Sequence, residues 1–318
     1  MKNQAYARLL WVSFMRYILD RLIQAIILII IVSTVVFLIV RLTGNPLDVV
    51  LDPRATASVR EALAEKLGLD KPLFIQYLIY MGNMIRGDFG KSFISQEPCL
   101  HLVLQRFPAT LELTTLAMIL ALIIAVPIGI YSAANRGSSL DILGRIFAFT
   151  GMAAPIFWTG IMAIWIFSVK LKILPVGGRG GIETLILPVI TLGWVAASGL
   201  LRLTRSAMMD VLNTDYITMA RAKGLSRSII LWKHAFRNAA LPVLTFFVLL
   251  FILIMGGAVV TETVFSWPGL GRLLIFSVQS RDYPMVQTIV TLLCIVYIGA
   301  NFIVDVLYSL LNPKITHQ

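Results

Sequence analysis

The sequence predicts an all-α, polytopic membrane protein with six transmembrane helices and both termini inside. Three observations predict it. Of 318 residues, 58% are hydrophobic and only 14% charged, against roughly 25% charged in a soluble domain. Mean hydropathy is +0.87. The apolar residues fall into six blocks, each near the ~20 residues that a helix needs to cross a ~30 Å hydrocarbon core. This composition excludes a disordered chain, a disulfide scaffold and an ordinary soluble enzyme. The net charge of +11 reads as a cytoplasmic marker rather than a nucleic-acid footprint.

The first block is Leu22–Val40, preceded by a basic segment over residues 1–21. It is too long for a signal-peptide core, and no small-residue cleavage site follows, so it reads as a retained first span. An outer loop follows, about Arg41–Thr110, mixed in charge and with a helical stretch near Val59–Leu67. Residues 22–110 thus form one region, and 111–311 a transmembrane core with the inner loop 204–240. The later spans are Leu111–Ala134, Phe147–Val169, Ile186–Leu203, Leu241–Val260 and Met285–Leu311, with a short tail at 312–318.

Orientation follows from Lys and Arg. With the N-terminus inside, the inner segments hold 14 of them and the two short outer loops 5. The long first outer loop translocates regardless of its charge. Pro127, Pro155, Pro188 and Pro242 punctuate the spans. Pro188 and Pro242 fit helix starts, while Pro127 and Pro155 fit either helix ends or kinks around a cavity.

Glu112, at the outer edge of span two, and Asp305, in span six near its inner end, are the charges noted within spans. Asp305 is expected to pair with a basic residue. With no second carboxylate or histidine at depth, a proton relay is disfavoured. Cys99 and Cys294 lie in unlike surroundings, and the three histidines are far apart. No catalytic, cofactor or metal residues are predicted.

The inner loop Arg202–Ala240, with its core at 204–240, is the longest and most basic of the inner loops. Asn213 or Thr214 can cap a helix over Asp215–Lys223. Asp215 suits the positive N-terminal end of that helix, and Gly224 supplies a left-handed stop. Ser226 can cap a second helix, about Arg227–Asn238. Such a loop can dock on a partner or lie on anionic lipid, and the residues alone leave both open.

The segment Asp215-Tyr216-Ile217-Thr218-Met219-Ala220-Arg221-Ala222-Lys223-Gly224-Leu225 resembles the cytoplasmic motif of ABC importer permeases, specifically the dipeptide/oligopeptide/nickel family. His234-Ala235-Phe236-Arg237-Asn238-Ala239-Ala240-Leu241-Pro242 continues it. Further matches are Leu67-Gly68-Leu69-Asp70-Lys71-Pro72-Leu73, Gly87-Asp88-Phe89-Gly90, Pro108-Ala109-Thr110-Leu111-Glu112-Leu113, Phe265-Ser266-Trp267-Pro268-Gly269-Leu270-Gly271 and Arg281-Asp282-Tyr283-Pro284. The resemblance runs from about residue 16 to 315. The general motif begins Glu-Ala-Ala where this chain has Thr218-Met219-Ala220, so no glutamate contact carries over. Residues 1–15 exceed the usual family start. Leu9, Leu10, Trp11, Val12 and Phe14 there suit either membrane-surface contact or an overlong start.

The resemblance implies the ABC type I importer permease fold. It implies a second homologous permease, two ATP-binding subunits docked inside, and an extracytoplasmic substrate-binding protein, with no cofactor and no ATP site of the chain's own. No Gly-x-x-x-x-Gly-Lys-Ser/Thr loop occurs in the sequence. Asp215, Tyr216, Ala220, Arg221, Ala222, Lys223 and Gly224 become the expected docking residues, with Tyr216, Ala220, Ala222 and Gly224 foremost. Trp267, Pro268 and Gly269 are read as either a rigid scoop at the pathway mouth or a structural turn. The expected cargo is dipeptides or oligopeptides, with glutathione also in the range that the resemblance implies. The alternatives are nickel or a metal chelate, and, in another class, an ATP-independent channel or secondary carrier.

Overall fold

A computed structural model describes the backbone of residues 2–42, 47, 51, 54–66 and 68–311, and side chains over 19–42, 47, 51, 54–65 and 68–302. The described helices are α1 (Lys2–Leu42), α2 (Ala57–Lys66), α3 (Leu73–Ile85) and α4 (Cys99–Ala134). Then come α5 (Ser139–Ala153), α6 (Ile156–Lys170), α7 (Ile182–Leu212) and α8 (Asp215–Ala222). The last are α9 (Arg227–Val264), α10 (Leu270–Gln279) and α11 (Tyr283–Leu311). Among the described residues the only extended pairing is one isolated bridge, Lys91 to Pro98.

Among the described residues five helices are long and apolar enough to cross a membrane, and a bent pair makes a sixth if it counts as one span rather than a re-entrant loop. That pair corrects the expectation for span three. α5 and α6 meet at 106°, because Pro155 denies the helix a donor and holds the preceding Ala154 extended, at ψ 130°. Pro127, by contrast, lies inside α4, and Pro188 and Pro242 lie inside α7 and α9 rather than at their starts.

Helix ends also overrun the apolar blocks. α4 begins at Cys99, twelve residues before the expected Leu111, and α7 runs on to Leu212 rather than Leu203. The expected helix Arg227–Asn238 does not stop before span five. It passes through a π-helical stretch, Ile230–Ala235, straight into the membrane helix. The N-terminal extension is helical, but its side chains, the side chain of Asp305 and the tail 312–318 lie outside what the structure describes.

The chain divides into two compact units, Met1–Gln105 with Leu274–Gln318, and Arg106–Leu273. The last span therefore groups with the first rather than with a 111–311 core. In the first unit α1 packs on α11. Tyr77 accepts from Thr34 (2.7 Å), and its ring meets Phe37 edge-on at 5.4 Å. Asp282, buried, accepts from the Ser92 hydroxyl and the Phe93 amide. In the second unit α7 is the hub, packed against α5, α6 and α9. Its buried face carries Leu192, Ala196, Ala197, Leu200 and Leu201. The small residues at 196 and 197 let helices approach closely where lipid gives no hydrophobic drive between them.

Candidate functional site

α8 is short, so its shape depends on its two ends. At the N-terminus Thr214 is extended (φ −83°, ψ 153°). Its hydroxyl donates to Val211 O (2.6 Å) rather than accepting from the first turn, which corrects the expected side-chain cap. The Thr214 carbonyl takes the Ile217 and Thr218 amides instead. At the C-terminus Gly224 N donates to Arg221 O (3.0 Å) and Leu225 N to Ala220 O (3.4 Å). This is the paired closure that needs a left-handed residue. Gly224 supplies it at φ +72°. A Cβ there would meet nothing within 4 Å, so the requirement is purely of the backbone.

Two of the helix's side chains face inward. Ile217 is fully buried and Ala220 is 7% exposed. Ala220 therefore leaves the expected docking set, and Ile217 and Ala220 anchor α8 to the unit beneath. The residues at helical spacing on the other side, Asp215, Thr218, Met219 and Ala222, are exposed, with Met219 at 60%. Arg221, Lys223 and Gly224 are exposed as well. The sequence reading missed Met219. The i, i+3, i+4, i+7 pattern from Asp215 could have found it. Tyr216 is half-exposed, and its hydroxyl accepts from Asn238 Nδ2 (2.6 Å), tying α8 to α9. The π-helical stretch of α9 lies against α8 and buries Ile230, Leu231 and Ala235.

A second anchor, absent from the sequence reading, holds the same ends of α4, α5 and α7. Asp141 is 1% exposed. It accepts from Arg205 Nε (2.7 Å), Ser132 Oγ (2.5 Å) and the Gly137 amide (3.0 Å). Arg205, expected in a loop, sits on α7, where its forked guanidinium can take both carboxylate oxygens.

At the far end of α9, the turn Trp267-Pro268-Gly269 is built around Glu262. That carboxylate is fully buried, although it lies just beyond the expected apolar block Leu241–Val260. Glu262 accepts from Thr110 Oγ1 (2.6 Å) and the Arg272 amide (3.0 Å), and Thr110 in turn accepts from the Leu270 amide (2.8 Å). A Cβ on Gly269 would fall on the Glu262 carboxylate. Trp267 is fully buried and its indole N–H donates to Ala109 O (2.8 Å). Its side chain is thus committed to the core, as in a structural turn. Glu112 pairs with Arg179 at 2.6 Å on the surface. α9 has 38 residues, about 57 Å at 1.5 Å rise per residue. It separates α8 from the Trp267 turn by more than a ~30 Å hydrocarbon core. Among the described residues no cluster of three His, Cys, Asp or Glu could hold a metal ion.

Apolar helices in this number, one broken at proline, with a short amphipathic helix exposed at one end, define a multi-pass membrane protein. The chain belongs to the binding-protein-dependent transport system inner membrane component family, which residues 125–317 match. Residues 14–114 match the N-terminal region described for such membrane components. It is an ABC importer permease of the inner membrane. The glutathione transport system permease protein GsiC of Salmonella paratyphi A is 43% identical over 305 residues, covering 96% of this chain and all of that protein. GsiC of Escherichia coli K12 is 41% identical over the same span. The inward-facing MetNI methionine ABC transporter shares the fold at TM-score 0.55 and 20% identity, over 68% of this chain and 99% of that one. An amino acid ABC transporter does so at 0.51 and 15%, over 65% of this chain and 93% of that one.

Proposed function

We propose that this permease forms, with a second homologous permease, a pathway for small peptides, with the tripeptide glutathione as first candidate. We propose further that two separate ATP-binding subunits dock on the outward face of α8. The loop holding α8, and both termini, then face the cytoplasm. The observation that carries this reading is the division of α8 itself. Ile217 and Ala220 fix it to the bundle, while Asp215, Thr218, Met219 and Ala222 stay exposed. A rigidly held helix with a free face can transmit movement of a docked partner to α7 and α9. Coupling then needs different contacts in the two states, not mere proximity. The relatives named for glutathione transport support a peptide cargo and shift the first choice from dipeptides toward glutathione. The missing phosphate-loop motif supports ATP sites on separate subunits.

The test is uptake in a strain lacking the gene, complemented with it, using labelled glutathione, dipeptide and nickel, each with and without ATP depletion. Energy-dependent glutathione uptake is expected. Nickel uptake alone would move the cargo to metal, and uptake that survives depletion would contradict the coupling to separate ATP-binding subunits. Gly224→Asp places a side chain at φ +72° and should leave the protein inserted while ATP hydrolysis no longer drives uptake. Normal uptake by that variant would contradict the docking role.

A further inference from the structure

Beside α8 the second unit has a cleft of about 610 Å³. Its polar lining is dominated by three guanidinium groups, Arg136, Arg221 and Arg227, and no carboxylate lines it. The rest is mostly apolar, including Ala133, Leu212 and Ile230. Arg227 is already engaged, donating to Ala134 O (3.2 Å) and to Asn135 Oδ1. It neutralises the carbonyl end of α4 and fixes one wall. Arg136 and Arg221 have no ion pair among the described residues. Three like charges around one apolar-walled space repel one another unless an anion enters. The walls suit an anion that carries hydrocarbon.

The position of the cleft selects the anion. Tyr131, one turn before its Ala134 wall, and Trp232, next to its Leu231 wall, meet edge-on at 6.4 Å. The Trp232 indole N–H donates to the Tyr131 hydroxyl (3.4 Å). Both rings are about 40% exposed. Exposed Trp and Tyr of this kind sit at headgroup depth. Basic pockets between helices on the cytoplasmic side receive anionic lipid headgroups.

We propose that this cleft binds the phosphate headgroup of an anionic inner-leaflet phospholipid, with Arg136, Arg221 and Arg227 around the phosphate and the acyl chains leaving past Tyr131 and Trp232. Lipid at this site touches α8 through Arg221 and α9 through Arg227, so it would tie coupling to the charge of the membrane. The proposal rests on the cytoplasmic placement of α8, but its readout does not depend on transport.

The purified complex is offered phosphatidylglycerol or phosphatidylcholine with identical acyl chains, and bound lipid is counted by native mass spectrometry. The unaltered protein should retain phosphatidylglycerol in preference. Arg136→Gln and Arg227→Gln should each lower that preference about fivefold, and Arg136→Lys should keep it. Arg136 lies exposed in the turn after α4, so its variants test the site even if Arg227→Gln folds poorly. Equal retention of the two lipids, or an unchanged preference in Arg136→Gln, would overturn the proposal. Displacement of the lipid by inorganic phosphate would also overturn it. So would loss of the ATP-binding subunits from Arg136→Gln with lipid preference intact, since the cleft would then belong to an acidic segment of that partner.

Discussion

Glu262 is fully buried, yet its carboxylate holds the turn after α9 by accepting from the Thr110 hydroxyl and the Arg272 amide. Removing the acceptor strands buried donors, each costing about 1–3 kcal/mol. Glu262→Ala should therefore destabilise the permease by about 3–5 kcal/mol, read as a lower thermal midpoint in detergent. Glu262→Gln should fall between, since an amide presents one acceptor oxygen where two are used. Equal midpoints for all three proteins would contradict this role. At the other end, Asp141→Ala leaves Arg205 without its carboxylate. Because Arg205 is 21% exposed, the loss should be about 2–3 kcal/mol, below that of a fully dry pair. The same thermal measurement checks it, and an unchanged midpoint would refute it. Neither carboxylate stood out in the sequence. Glu262 follows its apolar block by two residues and looks like loop, and Asp141 looks like a helix-start residue. Only the distant partners Thr110 and Arg205 give them meaning.

At the scale of elements, α8 and the blocks of the spans were legible because each has a local cause. Apolar length marks a span, and Gly224 marks a left-handed stop. What was not legible lies where hydropathy is silent. The first turns of α4 and the last turns of α7 are polar helix beyond the hydrocarbon, and nothing local separates them from loop. The second loop helix hid its continuity with span five because Pro242 reads as a start signal but is tolerated inside α9. The inward turn of Ala220 is not legible in the sequence, because small residues suit a partner's groove and a tight internal contact equally well. Ile217, fully buried beside it, decides between them. Ile217→Ala should cost about 2–4 kcal/mol of local anchoring and loosen α8, seen as faster amide exchange over residues 215–222. Met219→Ala should leave that exchange unchanged. Equal exchange in the two variants would contradict the assignment of faces.

Across the second unit, one long helix joins α8 to the Glu262 turn. α9 begins beside α8 and ends at the Glu262 turn, so a displacement at one end reaches the other without an intervening flexible segment. The central claim is that the outward face of α8 meets an ATP-binding subunit. A photo-crosslinking amino acid placed at 219 or 222, with position 253 as a control, tests it in the assembled complex. Leu253 is 69% exposed in the middle of α9 and should meet lipid or the second permease. Crosslinks to the ATP-binding subunit are expected from 219 and 222 and none from 253. Crosslinks from 219 and 222 to the extracytoplasmic binding protein, or none to the ATP-binding subunit, would contradict it.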